Sequence, residues 1–496
     1  MAIQLDKRYM KFDGDLLLTT ACPVECDFCV YSCTASKEPW KWMPEKTIRR
    51  VAEEYSKNNI GIRISGGEPF YNIKRLERCI DILLEYYKPI ELLIITSGFF
   101  GFDRENTKKY LNIIKERDFN LLVVSIDRFH QKKIPLRNIE KIIEVCDKMD
   151  IEIALRLSLD FFSFPLIDKI SELIVKHKLP IETHGWAICG RAEKLDISPL
   201  KEGERVNKYL FSKIKEFAEK YDAPTNLKYY LTHTAKRSQL KYASEFFPTT
   251  FPNGNVYACS ITMKGSYIGN INKENLLKAI LKFKNTFPGY YMFSESNCYF
   301  LRNFLPKKFN WRCEFCRDGL FVNIDKTPEE ALGREFIKIT AKSDLNKLLK
   351  QLLEKKKSVT QKEYEREFLL SFRLSEKDLN DNVAKKIKIF LNKLKENKIR
   401  FALSMPLPLC LGIKVDNNQP KNCFECRELF TVQNGFVRYC EPLGRIKGHK
   451  LESIKDRNQI YEHFKIEHNK LSISEKCEFC LFKLRNQCNG MCFVKK

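Results

Sequence analysis

The sequence predicts an α/β fold in which a partial, TIM-like (β/α)6 barrel is followed by a cysteine-rich α+β extension. Six apolar, strand-like runs alternate with amphipathic segments, and the later part of the chain changes to turn-rich sequence with clustered cysteines. A strand–helix repeat of about 30 to 40 residues is typical of βα units that form a parallel sheet. The structural alternative is a flat, doubly wound sheet built from the same units.

The predicted strands are rich in Ile, Leu and Val, and the segments between them each have one apolar face. The strands are Leu16–Thr20, Gly61–Ser65, Leu92–Ser97, Leu121–Ile126, Ile151–Leu157 and Ile181–Ala187. The helices are Pro44–Asn58, Ile73–Tyr87, Glu105–Glu116, Leu136–Met149 and Phe164–His177. Parallel βα folds bind ligands at the carboxyl ends of their strands, so we expect the site there.

The chain of 496 residues is too long for one hydrophobic core, and changes in composition divide it into four segments. They are the barrel over 1–230, a region with short strands over 231–330, a basic helical segment over 331–405 and a second cysteine-rich region over 406–496. In the helical segment, Leu345–Leu353 and Ile387–Leu394 carry apolar faces. Gly254 and Gly435 precede a cysteine by the same spacing, which indicates a duplicated hairpin.

Composition restricts the compartment and the partners. No apolar run approaches the roughly 18 residues of a membrane span, and the N-terminus lacks a signal-peptide pattern, so we expect a cytoplasmic protein without a membrane partner. In a reducing compartment, the 19 cysteines indicate metal ligands or catalysts rather than disulfides. The net charge of +24 suggests nucleic acid or an acidic partner, or only a Lys-, Ile- and Asn-rich coding bias. No RNA-binding module is recognisable, so nucleic acid is not the expected partner.

The sharpest local pattern is the segment ACPVECDFC, which places Cys22, Cys26 and Cys29 directly after the first predicted strand. Three thiolates at this spacing can hold one face of an iron–sulfur cubane and leave its fourth iron open to a substrate or cofactor. A zinc knuckle is the alternative, since Cys33 could supply a fourth ligand.

The CxxxCxxC motif, followed by GGEP at Gly66–Pro69, resembles the radical S-adenosylmethionine (SAM) superfamily, and the resemblance runs through residues 15–200. It implies a four-iron, four-sulfur (4Fe–4S) cluster on Cys22, Cys26 and Cys29, whose open iron chelates the cofactor SAM. In this family, one electron from the cluster cleaves SAM to methionine and a 5′-deoxyadenosyl radical. The three cysteines are therefore expected to be catalytic residues as well as metal ligands.

The resemblance also implies cofactor-binding roles at the ends of successive strands. Gly66 and Gly67 would let the backbone approach SAM closely, and Glu68 would receive its ammonium group in a charge-assisted hydrogen bond. Arg156 would pair with the carboxylate of SAM. The other expected cofactor-binding residues are Pro69, Phe28 near the adenine, Thr96, Ser125, Asp127 and Ile188, although Trp186 stands where the motif around Ile188 usually has a glycine.

His130 lies one helical turn beyond Asp127, and two roles are open to it. It could transfer protons near the substrate, or it could cap or pack the rim of the barrel. We favour the structural role.

Twelve later cysteines resemble the auxiliary-cluster extensions of radical SAM peptide maturases. Cys259, Cys298, Cys313 and Cys316 look like the single-cluster extension called twitch. The C-terminal block resembles the two-cluster SPASM extension, with Cys423, Cys426, Cys440 and Cys492 in one set and Cys477, Cys480, Cys488 and Cys410 in the other. Zinc uses the same CxxC pairs and is the alternative for each block.

The cysteine-rich tail favours an enzyme that modifies a ribosomally made peptide or a protein side chain. In such enzymes an auxiliary cluster accepts an electron or ligates a substrate thiolate, which gives a thioether or another cross-link. The implied partners are a precursor peptide or protein substrate, for which an acidic leader is one form, and a flavodoxin- or ferredoxin-type reductant. The alternatives are a small-molecule substrate and, from another class, an RNA-binding or RNA-modifying protein.

Overall fold

The structure is a computed structural model, and the chain divides into two compact units, of which the first contains the described residues up to Leu276 and the second contains those after it. The described residues are 14–184 without 37 and 120, 190–195, 203–230, 248–258, 266–286 without 285, 335–357, 368–373, 380–399, 401–403, 431–438 without 434, and 448–466 with gaps at 457, 461 and 464–465. The four segment boundaries expected from the sequence stay predictions.

The first unit is built on six parallel strands that neighbour each other in chain order. They are β1 (Gly14–Thr19), β2 (Ile62–Gly66), β3 (Leu92–Thr96), β4 (Leu121–Ser125), β5 (Glu152–Ser158) and β6 (Ile181–His184). A doubly wound sheet reverses its strand order between its βα units, whereas these six βα strands follow one another in a single direction from β1 to β6. The predicted partial barrel is therefore confirmed over the flat alternative.

Seven helices accompany these strands. They are α1 (Glu45–Lys57), α2 (Ile73–Leu84), α3 (Arg104–Lys115), α4 (Arg128–Gln131), α5 (Leu136–Met149), α6 (Phe164–Lys176) and α7 (Gly203–Lys220). The five predicted ones, α1, α2, α3, α5 and α6, lie within a few residues of their predicted bounds, and α7, which follows β6, was not predicted. The Asn72 and Asp103 side chains accept hydrogen bonds from backbone N–H groups in the first turns of α2 and α3, which fixes where these helices begin. The short α4 was not expected from the sequence.

Three further strands extend the sheet beyond β1. They are β7 (Thr249–Thr250), which pairs parallel to β1, followed by the antiparallel β8 (Asn255–Tyr257) and β9 (Tyr267–Asn270). Gly254 forms the turn before β8 with a φ of 83°, a conformation that favours glycine. The buried Tyr55 hydroxyl lies 2.8 Å from Thr250 Oγ1 and thereby joins α1 to this extension.

The second unit contains most of α8 (Leu276–Lys284). It also contains a βαβαβ module with a parallel sheet. The module consists of β10 (Glu335–Thr340), α9 (Leu345–Lys357), β11 (Phe368–Arg373), α10 (Asp381–Glu396) and β12 (Phe401–Leu403). The predicted apolar faces of the two helices pack on one core with Ile339, Leu370 and Leu403. The segment 331–405, expected to be helical, therefore contains three strands as well as its two helices. β10 mixes apolar and polar residues and gives no continuous apolar run like those of the barrel strands.

A small antiparallel sheet also lies in the second unit and consists of β13 (Thr431–Gln433), β14 (Phe436–Arg438) and β15 (His449–Lys450). Gly435 precedes β14 with a φ of 76°, as Gly254 precedes β8, so both glycines occupy hairpin turns as the repeated spacing predicts. Among the described residues, no helix is both long and apolar enough to cross a membrane.

Candidate active site

A cavity lies at the carboxyl ends of the barrel strands and collects most of the residues expected in the site. The predicted residues that line it are Cys22, Cys26, Phe28, Cys29, Gly66, Gly67, Thr96, Ser125, Asp127 and Arg156. Glu68 and Pro69 are buried beside it and do not line it. These residues are spread over more than 130 positions of the sequence. The parallel strands bring them together, because the carboxyl ends of the strands share one edge of the sheet.

The cysteine loop, residues 20–34, follows β1 and is folded by local turns. The Cys29 N–H donates to the Cys26 carbonyl oxygen at 3.1 Å, and the Cys22 N–H donates to the Thr34 carbonyl oxygen at 2.9 Å. Cys22 and Cys26 are buried, and Cys29 is partly exposed. Among the described residues, no three His, Cys, Asp or Glu side chains converge as they would around a single metal ion.

The thiols of this loop differ in how readily they ionise. Burial, followed by the negative charge of Glu68, raises the pKa of Cys22 to about 12. The Cys33 side chain hydrogen-bonds Cys29 and lowers the pKa of Cys29 to about 6, and the Cys33 N–H also points at Cys29 Sγ, at 3.4 Å. The lowered pKa of Cys29 favours its thiolate form, whereas the raised pKa of Cys22 means that its thiolate needs a nearby cation.

Gly66, the last residue of β2, and Gly67 pack against the backbone at the end of β1. A Cβ atom on Gly67 would lie 2.1 Å from the Ala21 carbonyl oxygen, and Gly66 has a φ of 130°. The Gly67 N–H donates to the Thr19 carbonyl oxygen at 2.7 Å. A side chain at either position would displace the start of the cysteine loop, so the close approach explains both glycines.

Glu68 is fully buried, and its carboxylate is surrounded by hydrogen-bond donors. Oε1 accepts from the Phe70 N–H at 3.1 Å and from Thr96 Oγ1 at 2.8 Å. Oε2 accepts from the Ser97 N–H at 2.8 Å and from the Ser97 hydroxyl. Burial raises the pKa of Glu68, while the Ser97 and Thr96 donors oppose the rise. Glu68 therefore ties the end of β2 to the end of β3.

Phe28, Asp127 and His130 form one wall of the cavity. The Phe28 ring stacks on Phe129 with centroids 4.4 Å apart. The Asp127 side chain accepts from the Phe129 and His130 N–H groups, both at 3.1 Å, and its Oδ2 lies 2.9 Å from His130 Nδ1. Burial opposes protonation of His130, but Asp127 and Cys26 raise its pKa well above the usual value. The Asp127 contact agrees with the structural role that we favour for His130.

Two lining residues, Asp15 and Arg156, pair with charged side chains on the neighbouring strand. Arg63 Nε and Nη2 donate to the two carboxylate oxygens of Asp15 at 2.9 and 3.1 Å across β1 and β2. Arg156 lies 3.9 Å from Glu182 across β5 and β6. Arg156, expected to pair with a cofactor carboxylate, thus already has a carboxylate neighbour.

Several lining residues were missed in the sequence. They are Asp15, Val30, Tyr31, Cys33, Ser65, Ile95, Ser97, Ser158, His130 and Arg191. Cys33, Ser97 and His130 were considered from the sequence but were not among the predicted site residues. Asp15 gives a usable signal, since an acidic residue inside an apolar strand needs a partner. Arg191 gives none, because it bonds to residues 158 and 165 positions away.

Some expected site residues lie outside the described residues. They are Ile188 and the auxiliary cysteines Cys259, Cys298, Cys313, Cys316, Cys410, Cys423, Cys426, Cys440, Cys477, Cys480, Cys488 and Cys492. Their roles stay predictions.

Comparisons with known proteins identify part of the chain. Residues 16–153 match the family described as the Radical SAM superfamily. The peptide biosynthesis protein YydG of Bacillus subtilis (strain 168) is 28% identical over 167 residues, which are 33% of this chain and 51% of that protein. The chain thus matches about half the length of this curated relative.

Solved structures similar to this chain include two with bound cofactor. Streptococcus suis SuiB bound to S-adenosylmethionine is 15% identical with a TM-score of 0.40, and the match covers 55% of this chain and 67% of that one. The enzyme anSMEcpe with bound AdoMet and Kp18Cys peptide is 15% identical with a TM-score of 0.40, with coverages of 54% and 79%.

The matched residues 16–153 contain the cysteine loop and the glycine pair Gly66 and Gly67. These are the features that the sequence resemblance rests on, and both line the same cavity. Residues 16–153 therefore form a radical SAM domain.

Proposed function

We propose that this protein is a radical SAM enzyme that modifies a ribosomally made peptide or a protein side chain. The observation that carries the proposal is the convergence of Cys22, Cys26 and Cys29 with Gly66 and Gly67 on one cavity at the strand ends. The relative YydG, named for peptide biosynthesis, supports a peptide as the substrate.

The residues of the cysteine loop fit a 4Fe–4S cluster. Three thiols from one loop line the cavity, and the lowered pKa of Cys29 and its contact with the Cys33 N–H suit a thiolate ligand. The raised pKa of Cys22 fits as well, because a bound cluster supplies the positive iron that a buried thiolate requires. The proposed assignment would leave one iron without a protein ligand.

When bound, the cluster supplies the electron that cleaves SAM to methionine and a 5′-deoxyadenosyl radical. The protein supplies binding, orientation and exclusion of water. Ser125 and Arg156 offer hydrogen-bond donors to the polar groups of the cofactor, and Phe28, fixed by its stacking on Phe129, offers a flat apolar wall to the adenine.

The exposed charges on the two helices of the βαβαβ module support a substrate peptide with an acidic leader. Exposed lysines on α9 and α10 are Lys347, Lys350, Lys385, Lys386, Lys388 and Lys395. Acidic residues exposed on the same helices are Glu354, Asp381 and Glu396. This excess of positive charge would attract an acidic segment, and added salt would weaken the attraction.

The function is tested with reconstituted, reduced protein under anaerobic conditions. With SAM it is expected to release 5′-deoxyadenosine, which chromatography with mass detection quantifies. A peptide encoded by a short reading frame beside the gene is expected to change mass only when both SAM and reductant are present. Iron-loaded protein that releases no 5′-deoxyadenosine would overturn the radical SAM activity. Release with every such peptide unchanged would overturn the peptide substrate and leave the small-molecule alternative.

We further propose that the auxiliary cysteines hold up to three more 4Fe–4S clusters. Anaerobically purified protein is then expected to contain about sixteen irons, four clusters of four. Cys440→Ala and Cys480→Ala should each remove about four irons, because each cysteine belongs to a different set of four. Elemental analysis checks both numbers. About four irons together with bound zinc would contradict the auxiliary clusters, since zinc competes for the same thiolates.

A further inference from the structure

Arg191 joins the end of the barrel to both halves of the cysteine loop. It lies in the 3-10 turn Gly190–Lys194 after β6. Its Nε donates to the Cys26 carbonyl oxygen at 2.9 Å, and its Nη1 donates to the Cys33 carbonyl oxygen at 2.7 Å. Its backbone N–H donates to the Cys29 carbonyl oxygen at 3.1 Å. One residue therefore bonds three points of the cysteine loop.

The chemistry of arginine suits this task. The planar guanidinium presents several N–H donors in fixed directions, so it can hold two carbonyl oxygens at once, whereas a lysine ammonium offers a point charge on a flexible chain. The preceding residue allows the close approach. Gly190 has a φ of 61°, and a Cβ atom there would lie 2.4 Å from the Val30 carbonyl oxygen and 2.6 Å from that of Cys29.

The guanidinium also brings positive charge to the cavity. Arg191 lines the cavity, and its Nη2 is buried without a hydrogen-bond partner among the described residues. A 4Fe–4S cluster on three thiolates carries net negative charge, and reduction adds more, so a nearby cation stabilises the reduced form.

We propose that Arg191 is a positioning residue that holds Cys26, Cys29 and Cys33 in place through their carbonyl oxygens and sets the reduction potential of the cluster through its charge. The holding role rests on the observed hydrogen bonds alone. The effect on the reduction potential rests on the proposed cluster. The two roles can therefore be tested separately.

The hydrogen bonds are tested in cluster-free protein. Arg191→Lys and Arg191→Gln both lose the guanidinium that donates to the Cys26 and Cys33 carbonyl oxygens. Lys194→Gln is the control, because Lys194 is exposed in the same turn. We expect iodoacetamide to alkylate Cys22, Cys26 and Cys29 at least several-fold faster in both Arg191 variants than in wild type and the control. Peptide mapping reads each cysteine. Circular dichroism checks that each protein is folded; should Arg191→Gln not fold, Arg191→Lys decides. Equal alkylation rates in wild type and the folded Arg191 variants would overturn the holding role.

The charge is tested by the midpoint potential of the reconstituted cluster without SAM, followed by electron paramagnetic resonance. The spectrum of the Cys22, Cys26 and Cys29 triple alanine variant is subtracted to remove any auxiliary clusters. Arg191→Gln is expected to disfavour the reduced form about tenfold, which is about 59 mV for a one-electron couple. Arg191→Lys, which keeps the charge, should stay closer to wild type. Identical potentials in wild type and Arg191→Gln would overturn the charge role, and iron-free wild-type protein would instead overturn the cluster assignment.

Discussion

Replacing Cys22, Cys26 and Cys29 together by alanine is expected to abolish 5′-deoxyadenosine formation and to remove about four irons per chain. The reason is that these are the three thiols that the loop after β1 brings to the cavity. Without them the cluster has no protein ligand there, so no electron reaches SAM. Product analysis and elemental analysis of the same anaerobic sample measure both losses.

Cys33→Ala is the matched control, because Cys33 lies in the same loop, is buried and lines the same cavity. A three-cysteine cluster predicts that this variant keeps its iron and still releases 5′-deoxyadenosine. A four-cysteine zinc site predicts that Cys33→Ala loses metal as the triple variant does. Cleavage of SAM that survives in the triple variant would contradict the assignment of the catalytic cysteines.

Much of the barrel could be predicted because its elements are local and regular. The apolar runs around Leu92–Thr96 and Leu121–Ser125 are buried strands, and α5 begins and ends where the pattern predicts. The strands of the βαβαβ module could not be predicted in the same way. β10 reads EFIKIT, in which apolar and polar residues are mixed, so it lacks the continuous apolar run of β3 and β4. β12 has only three residues, too few for a periodic signal.

The candidate site was predictable where a motif is contiguous in sequence and unpredictable where contacts are distant. The cysteine loop and the GGEP segment carry their own pattern, and both line the cavity except for the buried Glu68 and Pro69. The ion pair of Asp15 and Arg63 depends on the register of β1 against β2, and the bonds of Arg191 depend on the end of β6 returning to the loop. The pairing register of two strands cannot be read from the sequence alone, and neither can the path of the chain after β6.

Glu68→Gln is expected to lower the free energy of unfolding of cluster-free protein by about 1–3 kcal/mol, besides weakening SAM binding. Oε1 faces the Phe70 N–H and Oε2 faces the Ser97 N–H, and neither backbone donor can become an acceptor. In either orientation, the glutamine amide therefore points its NH2 group at one of these donors and leaves that donor unsatisfied. Denaturant unfolding measures the change in stability, and calorimetry of the reconstituted protein measures the affinity for SAM.

Glu105→Gln is the control for this substitution, because Glu105 is exposed in the first turn of α3 and a neutral side chain there should change stability little. The sequence resemblance gives Glu68 a direct contact with the SAM ammonium, whereas the structure gives its carboxylate four donors from the protein. A direct contact alone predicts a ten- to hundredfold loss of SAM affinity, about 1.5–3 kcal/mol, with unchanged stability. Loss of stability in Glu68→Gln but not in Glu105→Gln would show that Glu68 acts by holding Thr96 and Ser97 at the cavity. Unchanged stability in both variants would contradict this role and leave the direct contact.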